Sequence, residues 1–441
     1  MSLKYCKTLV LILAVGAVHA QEFLSLNQAL ESALEFNHDL SIAERRLEVA
    51  ENLATPGQAN LLPTITANAA GTHAQQNFIS TTFADGRVIE GNDAISQNLT
   101  GSVVLNYNLF NGFNRYYTFK RLKRQEDLSE AELRFALENT LQGVISAYLE
   151  VARLEQNQRV QAQSLAISLD RYARVKAKTD LGGGNRIEML NAAVDLSADS
   201  VAWIGLDNQL NNAKRNLMVL MGQDPRDNFQ VDTLLPPPAA FDYQQMREQA
   251  LGANSNLEQA EIRQEAARMD AEALKGGYYP QLDLQAGYAG TLVENQKQFI
   301  VDAVNYGWNA GLVFRWTLFN GTRTRTAVQN ARLNLEVARE VREQTRKNLL
   351  RDFDNAYTGY NNALFVQGVE QRTLQTAQLN FERTRELFGL GQVNNTQFRE
   401  AQLNLARTLA NYNNARYAAK LAEVQLLRLS GQLAQMVTLQ P

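Results

Sequence analysis

The sequence has little of what covalent or metal chemistry requires. Its 441 residues contain one cysteine, Cys6, and that residue lies in a stretch with the form of a secretory leader. Lys4 and Lys7 precede an apolar run from Thr8 to Val18, and Val18-His19-Ala20 ends before Gln21. A charged start, a short apolar centre and small residues at the end mark residues 1–20 as a signal peptide. A lipid-anchoring cysteine would follow the apolar run, whereas Cys6 precedes it. Without the leader no thiol is left, which excludes a disulfide framework and thiolate catalysis. Of three histidines, His19 departs with the leader, and His38 and His73 are isolated, so no histidine metal cluster is expected. Gly182-Gly183-Gly184 lacks the Lys-Ser/Thr of a phosphate loop, and neither Gly-x-Ser-x-Gly nor His-Glu-x-x-His occurs. The chain reads as a non-enzyme without a cofactor.

Basic excess is also missing. The formal net charge is −3, which does not provide the electrostatic footprint of a nucleic-acid binder. After the leader no segment offers about 18 continuous apolar residues, so no membrane-spanning helix is expected. Hydrophobic residues make up 45%, and Gln, Asn and Ala crowd the helical parts, a balance suited to thin walls wetted on at least one side. Proline is scarce, at positions 56, 63, 225, 236, 237, 238, 280 and 441. Arg115 to about Asp180 and Arg323 to about Gly389 are therefore free of it, and both read as very long helices.

What is there is a duplication. An offset of 209 carries Tyr172 to Phe381, Gly182 to Gly391, Ala192 to Ala401, Leu196 to Leu405 and Gly222 to Gly431. Each copy predicts a helix, a β-hairpin, a long helix, a glycine turn and a return helix. The first repeat runs over 21–222, with its hairpin at about 62–110 and its tip at about 181–186. A Pro-rich linker follows at 223–241. The second repeat occupies 242–431, with its hairpin at about 280–319 and its tip at about 389–395, and a tail spans 432–441. Residues 25–55 carry apolar positions at helical spacing. A helix of about 66 residues rises on the order of 100 Å, and return helices at 187–222 and 242–271 laid end to end would retrace it. Within the long helices Leu137, Leu141, Val144, Tyr148 and Val151, then Leu350, Phe353, Tyr357, Tyr360 and Leu364, follow steps that suit coiled-coil packing.

Strand periodicity is clearest at Leu99–Leu109 and Trp308–Leu318, where apolar and polar residues alternate. Such strands of roughly 10 residues, with aromatics near their ends, match transmembrane β-strands. A soluble sandwich face alternates in the same way. The first hairpin holds 8 more residues than the second, placed around Asp85-Gly86 and Gly91-Asn92 and expected as an exposed loop. Asn111-Gly112 and Asn320-Gly321 suit sharp strand–helix junctions. Four strands do not close a membrane barrel, so copies must share one; two copies would supply eight strands and three would supply twelve.

Leu62-Pro63 and Tyr279-Pro280, Asn108-Leu-Phe-Asn-Gly112 and Thr317-Leu-Phe-Asn-Gly321, the tip glycines, Leu220-Met221-Gly222 and Leu429-Ser430-Gly431 together resemble the TolC family of outer-membrane efflux proteins over essentially the whole chain after the leader. The resemblance implies an α+β membrane protein: a homotrimer whose duplicated β-hairpins form a twelve-stranded β-barrel in outer-membrane lipid, continuous with a twelve-helix α-barrel crossing the periplasm. It implies a periplasmic adaptor (membrane fusion) protein and an inner-membrane pump or secretion ATPase as partners, and an exit duct for efflux or type I secretion as the function. It also implies a periplasmic gate at Glu188, Asn191, Gln397 and Glu400, where family members often carry a fuller set of acids. Leu181, Gly182, Gly184, Leu190, Leu390 and Gly391 are the expected adaptor contacts. The alternative is a secreted coiled-coil scaffold or adhesin with a soluble β-head. The acids also suit plain helix N-terminal positions, where they satisfy the dipole.

Overall fold

A computed structural model describes residues 22–296 and 301–434. The expected leader and most of the expected tail lie outside the described residues. In chain order the elements are β1 (Glu22–Leu24), α1 (Leu26–Phe36), α2 (His38–Leu53), β2 (Thr64–Thr82), β3 (Val88–Phe110), α3 (Asn114–Asp180), α4 (Arg186–Leu220) and β4 (Phe229–Val231). They continue as α5 (Tyr243–Ala253), α6 (Ser255–Leu274), β5 (Gln281–Asn295), β6 (Asp302–Arg315), α7 (Arg323–Gly389) and α8 (Asn395–Leu429). The chain packs as two compact units. One takes residues up to His38, Leu137–Tyr243 and the chain from Asp354 onward; the other takes Asp39–Ala136 and Gln244–Phe353.

The second unit holds an antiparallel sheet in the order β2-β3-β5-β6. Its register sorts the alternating residues onto faces. Ile65 pairs with Leu105, Leu99 with Leu292, Val103 with Tyr288, and Tyr288 with Trp308. Because successive side chains point to opposite faces, this pairing gathers Ile65, Leu99, Val103, Tyr288, Leu292, Tyr306, Trp308, Leu312 and Phe314 on one side. That side is uncovered, with Tyr306 76% and Trp308 81% exposed. The opposite side carries Thr66, Asn68, Thr100, Ser102, Asn106, Gln285, Asn305 and Asn309.

Two expectations for the sheet are corrected. The anticipated trimeric twelve-stranded barrel continuous with a twelve-helix barrel is not the fold found: this α+β chain forms a four-stranded sheet that ends at β2 and β6, and among the described residues no sheet closes. Nor are the extra residues of the first hairpin a loop. They lengthen β2 and β3, so that Phe78 pairs with Asn92 and Ile79 with Gly91, and the turn is confined to Phe83–Arg87. The strand expected to run through Leu318 stops at Arg315, whose partner Gln281 is the first residue of β5. Pro280 lies immediately before it and has no N–H to donate, so residues beyond Arg315 lose their ladder.

The first unit is helical. Val144, Val151, Leu217 and Leu426 are fully buried in it, and β1 and β4 form a short parallel pair. The single helix expected over 25–55 is two, broken at Asn37, whose Nδ2 donates to the Leu220 carbonyl at 2.8 Å. Gly222 adjoins this break with φ +72°, and a Cβ there would overlap the Phe36 carbonyl. Similarly, the helix expected over 242–271 breaks at Asn254, whose side chain caps α6 by accepting from Asn256 and Leu257 N–H.

Tyrosines strap the linker. Tyr148 Oη donates to the Leu24 carbonyl at 3.0 Å and accepts from Asp232 N–H at 2.9 Å, so one hydroxyl joins the ends of β1 and β4. Tyr417 donates to Thr233 O at 3.2 Å, Tyr360 to Ala239 O at 2.6 Å and Tyr357 to Phe241 O at 3.2 Å. Burial pushes the phenols of Tyr148, Tyr360 and Tyr417 up to about 12. Residues that read as a coiled-coil seam thus hold an extended strand of chain, satisfying backbone groups that the prolines leave without regular partners.

Candidate functional site

The residues singled out at the two tips lie on helix ends built alike. α3 closes with Gly182 N–H to Thr179 O and Gly183 N–H to Lys178 O, each 3.0 Å. α7 closes with Gly391 N–H to Phe388 O at 3.1 Å and Gln392 N–H to Leu387 O at 2.9 Å. Gly182 at φ +79° and Gly391 at φ +73° take the left-handed conformation that ends each helix and that side chains disfavour. Leu181 and Leu390 project beside them, 88% and 72% exposed. Leu190 is exposed on the first turns of α4, and Gly184 packs against Thr179.

Each return helix starts with an asparagine cap. Asn185 Oδ1 accepts from Ile187 N–H at 2.9 Å, leaving Glu188 as the acid of the first turn of α4. Asn394 Oδ1 accepts from Gln397 N–H at 2.9 Å while Gln397 Oε1 accepts from Asn394 N–H at 3.0 Å, a reciprocal capping box. The Gln397 side chain is therefore turned to its own helix end. Glu188 is half-buried, and Asn191 and Glu400 are exposed. Among the described residues none of Glu188, Asn191, Gln397 and Glu400 is ion-paired with another.

Just behind these tips lies a buried polar cluster that sequence reasoning missed. Arg399 Nη1 and Nη2 on α8 reach the Asp199 carboxylate on α4 at 2.7 and 2.9 Å, a bidentate fork. Arg399 also lies 3.7 Å from Asp195, which accepts from Arg171 of α3 at 2.6 Å. Ser168 donates to Asp199 and receives Arg399 and Gln402, the latter at 2.9 Å. Gln402 Nε2 also donates to Ser164 O at 2.8 Å. The Arg171 side chain is only 1% exposed. Two arginines and two aspartates balance, which is what permits such burial. Phe398 faces the other way, stacking on Phe388 at 4.5 Å and tilting against Phe381 at 5.7 Å. The available signal was divergence between the copies: at the 209 offset, Arg399 answers to Leu190, Asp199 to Thr408, Asp195 to Asn404 and Arg171 to Asn380.

The junction residues make tight turns. Gly112 and Phe113 are both left-handed, at φ +65° and +64°, as are Gly321 and Thr322, at +68° each. Asn111 Oδ1 accepts from Arg115 N–H at 3.4 Å, and Asn320 Oδ1 accepts from Thr324 N–H at 3.4 Å. Arg115 donates to the carbonyls of Asn60 and Asn108, pinning strand to helix.

Among the described residues no helix is long and apolar enough to cross a membrane. A family model described as outer membrane efflux protein matches residues 29–223 and 246–432. The cation efflux system protein CusC of Escherichia coli K12 is 23% identical over 365 residues, covering 78% of this chain and 77% of that protein. The outer membrane efflux protein BepC of Brucella suis is 22% identical over 344 residues, 76% of this chain and 72% of its own length. Among solved structures, the Campylobacter jejuni CmeC outer membrane channel superposes with a TM-score of 0.78 at 17% identity, covering 94% of this chain and 88% of that one. At that identity the superposition speaks for the fold.

Proposed function

Because the chain belongs to the outer membrane efflux protein family, the TolC family, we propose that it is the outer-membrane exit duct of a tripartite efflux or type I secretion system. It conducts passively, catalysing nothing, and takes substrates from an inner-membrane transporter through a periplasmic adaptor. One observation carries this reading: the face of the sheet bearing Tyr288, Tyr306, Trp308, Leu312 and Phe314 is apolar and uncovered. Its strands are 14 to 23 residues long, beyond the roughly 9–11 that cross a bilayer. Lipid is the solvent such a face fits. The free edges of β2 and β6 call for further copies of the chain, since unpaired backbone is costly in hydrocarbon.

On this reading the repeats 21–222 and 242–431, joined by the linker 223–241, place their long helices in the periplasm. Glu188, Asn191, Gln397 and Glu400 belong to its entrance. Leu181, Gly182, Gly184, Leu190, Leu390 and Gly391 meet the adaptor, and Asn111-Gly112 and Asn320-Gly321 turn strand into helix. With only Glu188 and Glu400 charged, the entrance holds cations weakly. The test is conductance of the purified full chain across planar lipid bilayers. Discrete channel openings are expected, and the Glu188→Gln/Glu400→Gln pair should lessen block by divalent cations. A chain that purifies without detergent and conducts nothing would instead support the scaffold reading.

A further inference from the structure

Within the unit that holds the sheet, its helix end carries a collar of aromatic rings and unpaired cations. The two halves meet there: Gly112 and Asn114 pack on Gly276, Thr324 packs on Gly277, and Trp316 Nε1 donates to the Tyr278 carbonyl at 3.2 Å. Phe113, Tyr116, Tyr278, Tyr279, Trp316 and Phe319 are exposed around this junction. The collar is continuous with the apolar side of the sheet. Tyr107 pairs with Leu284 and Leu284 with Leu312 on that side, and the Arg115 guanidinium lies over the Tyr107 ring at 5.7 Å. Charge here has one sign, because residues 94–125 hold five Lys or Arg, residues 303–335 hold four, and neither stretch holds an acid. Arg121, Lys123 and Arg124 reach acids on neighbouring turns or on α6. Lys120, Arg323, Arg325 and Arg332 are exposed and form no ion pair among the described residues, and Lys120 Nζ sits 4.6 Å over the Tyr116 ring. The far end of the sheet is opposite in sign. Glu90, Asp93, Glu294 and Asp302 are exposed there, Glu294 faces Asp302 in register, and Arg87 is held by Asp85 at 2.7 Å.

We propose that this collar binds the phosphate headgroups of anionic phospholipids in the periplasmic leaflet. The inference rests on the conduit reading, which turns the helix end of the sheet towards the periplasm. Exposed rings suit the depth at which acyl chains give way to headgroups. At a rise of 1.5 Å per residue, Lys120, Arg323 and Arg325 lie within about 10 Å of the first residues of their helices, the depth of the phosphates beyond those rings. The cations are spread along the first turns of two helices and do not converge on one cavity. That arrangement suits a ring of exchanging lipids better than one soluble anion. Each basic side chain near an anionic surface is worth roughly fivefold in local enrichment.

Tryptophan quenching by brominated lipids tests it on the full chain reconstituted in phosphatidylcholine vesicles. The chain has three tryptophans, Trp203, Trp308 and Trp316. Trp203→Phe/Trp308→Phe leaves Trp316 as reporter of the collar, and Trp203→Phe/Trp316→Phe leaves Trp308 as reporter of the sheet. Brominated phosphatidylglycerol should be preferred over brominated phosphatidylcholine at Trp316 by about fivefold in low salt, the worth of one basic side chain. Adding Lys120→Gln/Arg325→Gln should bring that preference close to one, while Glu90→Gln/Asp302→Asn at the far end should leave it unchanged. Circular dichroism checks folding. Where the Lys120 and Arg325 variant fails to fold, salt decides on the chain that keeps both: at about 1 M, where screening acts within roughly 3 Å, the preference should fall close to one. Equal quenching by both lipids at Trp316, with Trp308 quenched, overturns the proposal and leaves the conduit reading standing. So does a preference that survives both the double substitution and high salt. Quenching at Trp308 but none at Trp316 would show the collar covered by another copy of the chain, and overturns it too. No quenching at Trp308 by either lipid would refute the conduit reading and this proposal with it.

Discussion

Removing the Asp199 carboxylate should release the start of α8. In Asp199→Ala, Arg399 loses both arms of its fork, at 2.7 and 2.9 Å, and Ser168 loses its acceptor. Arg399, 11% exposed at its side chain, then shares with Arg171 only Asp195, which is 31% exposed and 3.7 Å away. Breaking a buried pair from one side costs about 3–5 kcal/mol. The surviving aspartate argues for the lower end, about 3 kcal/mol, or roughly two powers of ten in a local opening equilibrium. Amide hydrogen exchange read by mass spectrometry on peptides covering 395–405 measures that opening directly. Protection there should fall by about a hundredfold in Asp199→Ala. It should largely return in Asp199→Leu/Arg399→Met, because removing both partners leaves no stranded charge. A loss of less than about threefold, or a double variant whose loss is the sum of the singles, would show that the fork contributes nothing beyond surface pairing.

Tyr148→Phe leaves the Leu24 carbonyl and the Asp232 N–H unpaired in a buried setting, which costs about 1–3 kcal/mol. Tyr417→Phe, with one bond at 3.2 Å, should cost about 1 kcal/mol, and both variants should show faster limited proteolysis within 223–241. High pH should act on the same straps. The folded phenols of Tyr148, Tyr360 and Tyr417 lie at about 12, above the ordinary value of 10.0. The folded state therefore holds the protons that the unfolded state releases, so their contribution is full below pH 10 and is lost as pH rises towards 12. Phenolate absorbance should show these three ionising last, together with release of the linker. Gly391→Ala meets open space, so its cost is the left-handed backbone alone, about 1 kcal/mol. Gly222→Ala adds an overlap with the Phe36 carbonyl and should lower the melting temperature more.

Elements built from local pattern were legible in the sequence. Proline-free stretches and glycine ends read as helices, and α3 and α7 are 67 residues each, with α4 and α8 at 35 each. Alternation located β3 and β6. What period alone does not report is pairing. Nothing in Trp316-Thr317-Leu318 breaks the alternation, yet β6 ends at Arg315 because β5 has no residue left to face it. Gly91-Asn92 looked like loop chemistry, yet the pair sits in register opposite Ile79 and Phe78. Asn37 and Asn254 broke helices that apolar spacing carried through, since each uses its amide to satisfy backbone ends. Tyr148 and Tyr360 fitted a hydrophobic seam by position, and only tertiary structure shows where their hydroxyls go. At the tips, glycine spacing marked the turns. The capping role of Gln397 was also readable, since a polar residue three places after Asn394 is the box pattern.

The duplication acquires a different meaning from these details. Equal helix lengths keep the two copies superposable in backbone, while the buried charges separate them in chemistry. Arg399 belongs to the second copy and its fork partner Asp199 to the first; Arg171 and Asp195 likewise have neutral counterparts, Asn380 and Asn404. A chain made of two first copies would bury Arg171, Asp195 and Asp199 without the second arginine, leaving a surplus negative charge behind the tips. A chain made of two second copies would bury Arg399 with no acid to receive it. Either surplus carries the penalty of an uncompensated interior charge. The halves are therefore complementary rather than interchangeable, and their complementarity is located where Arg399 of α8, the residue just before Glu400, meets α3 and α4.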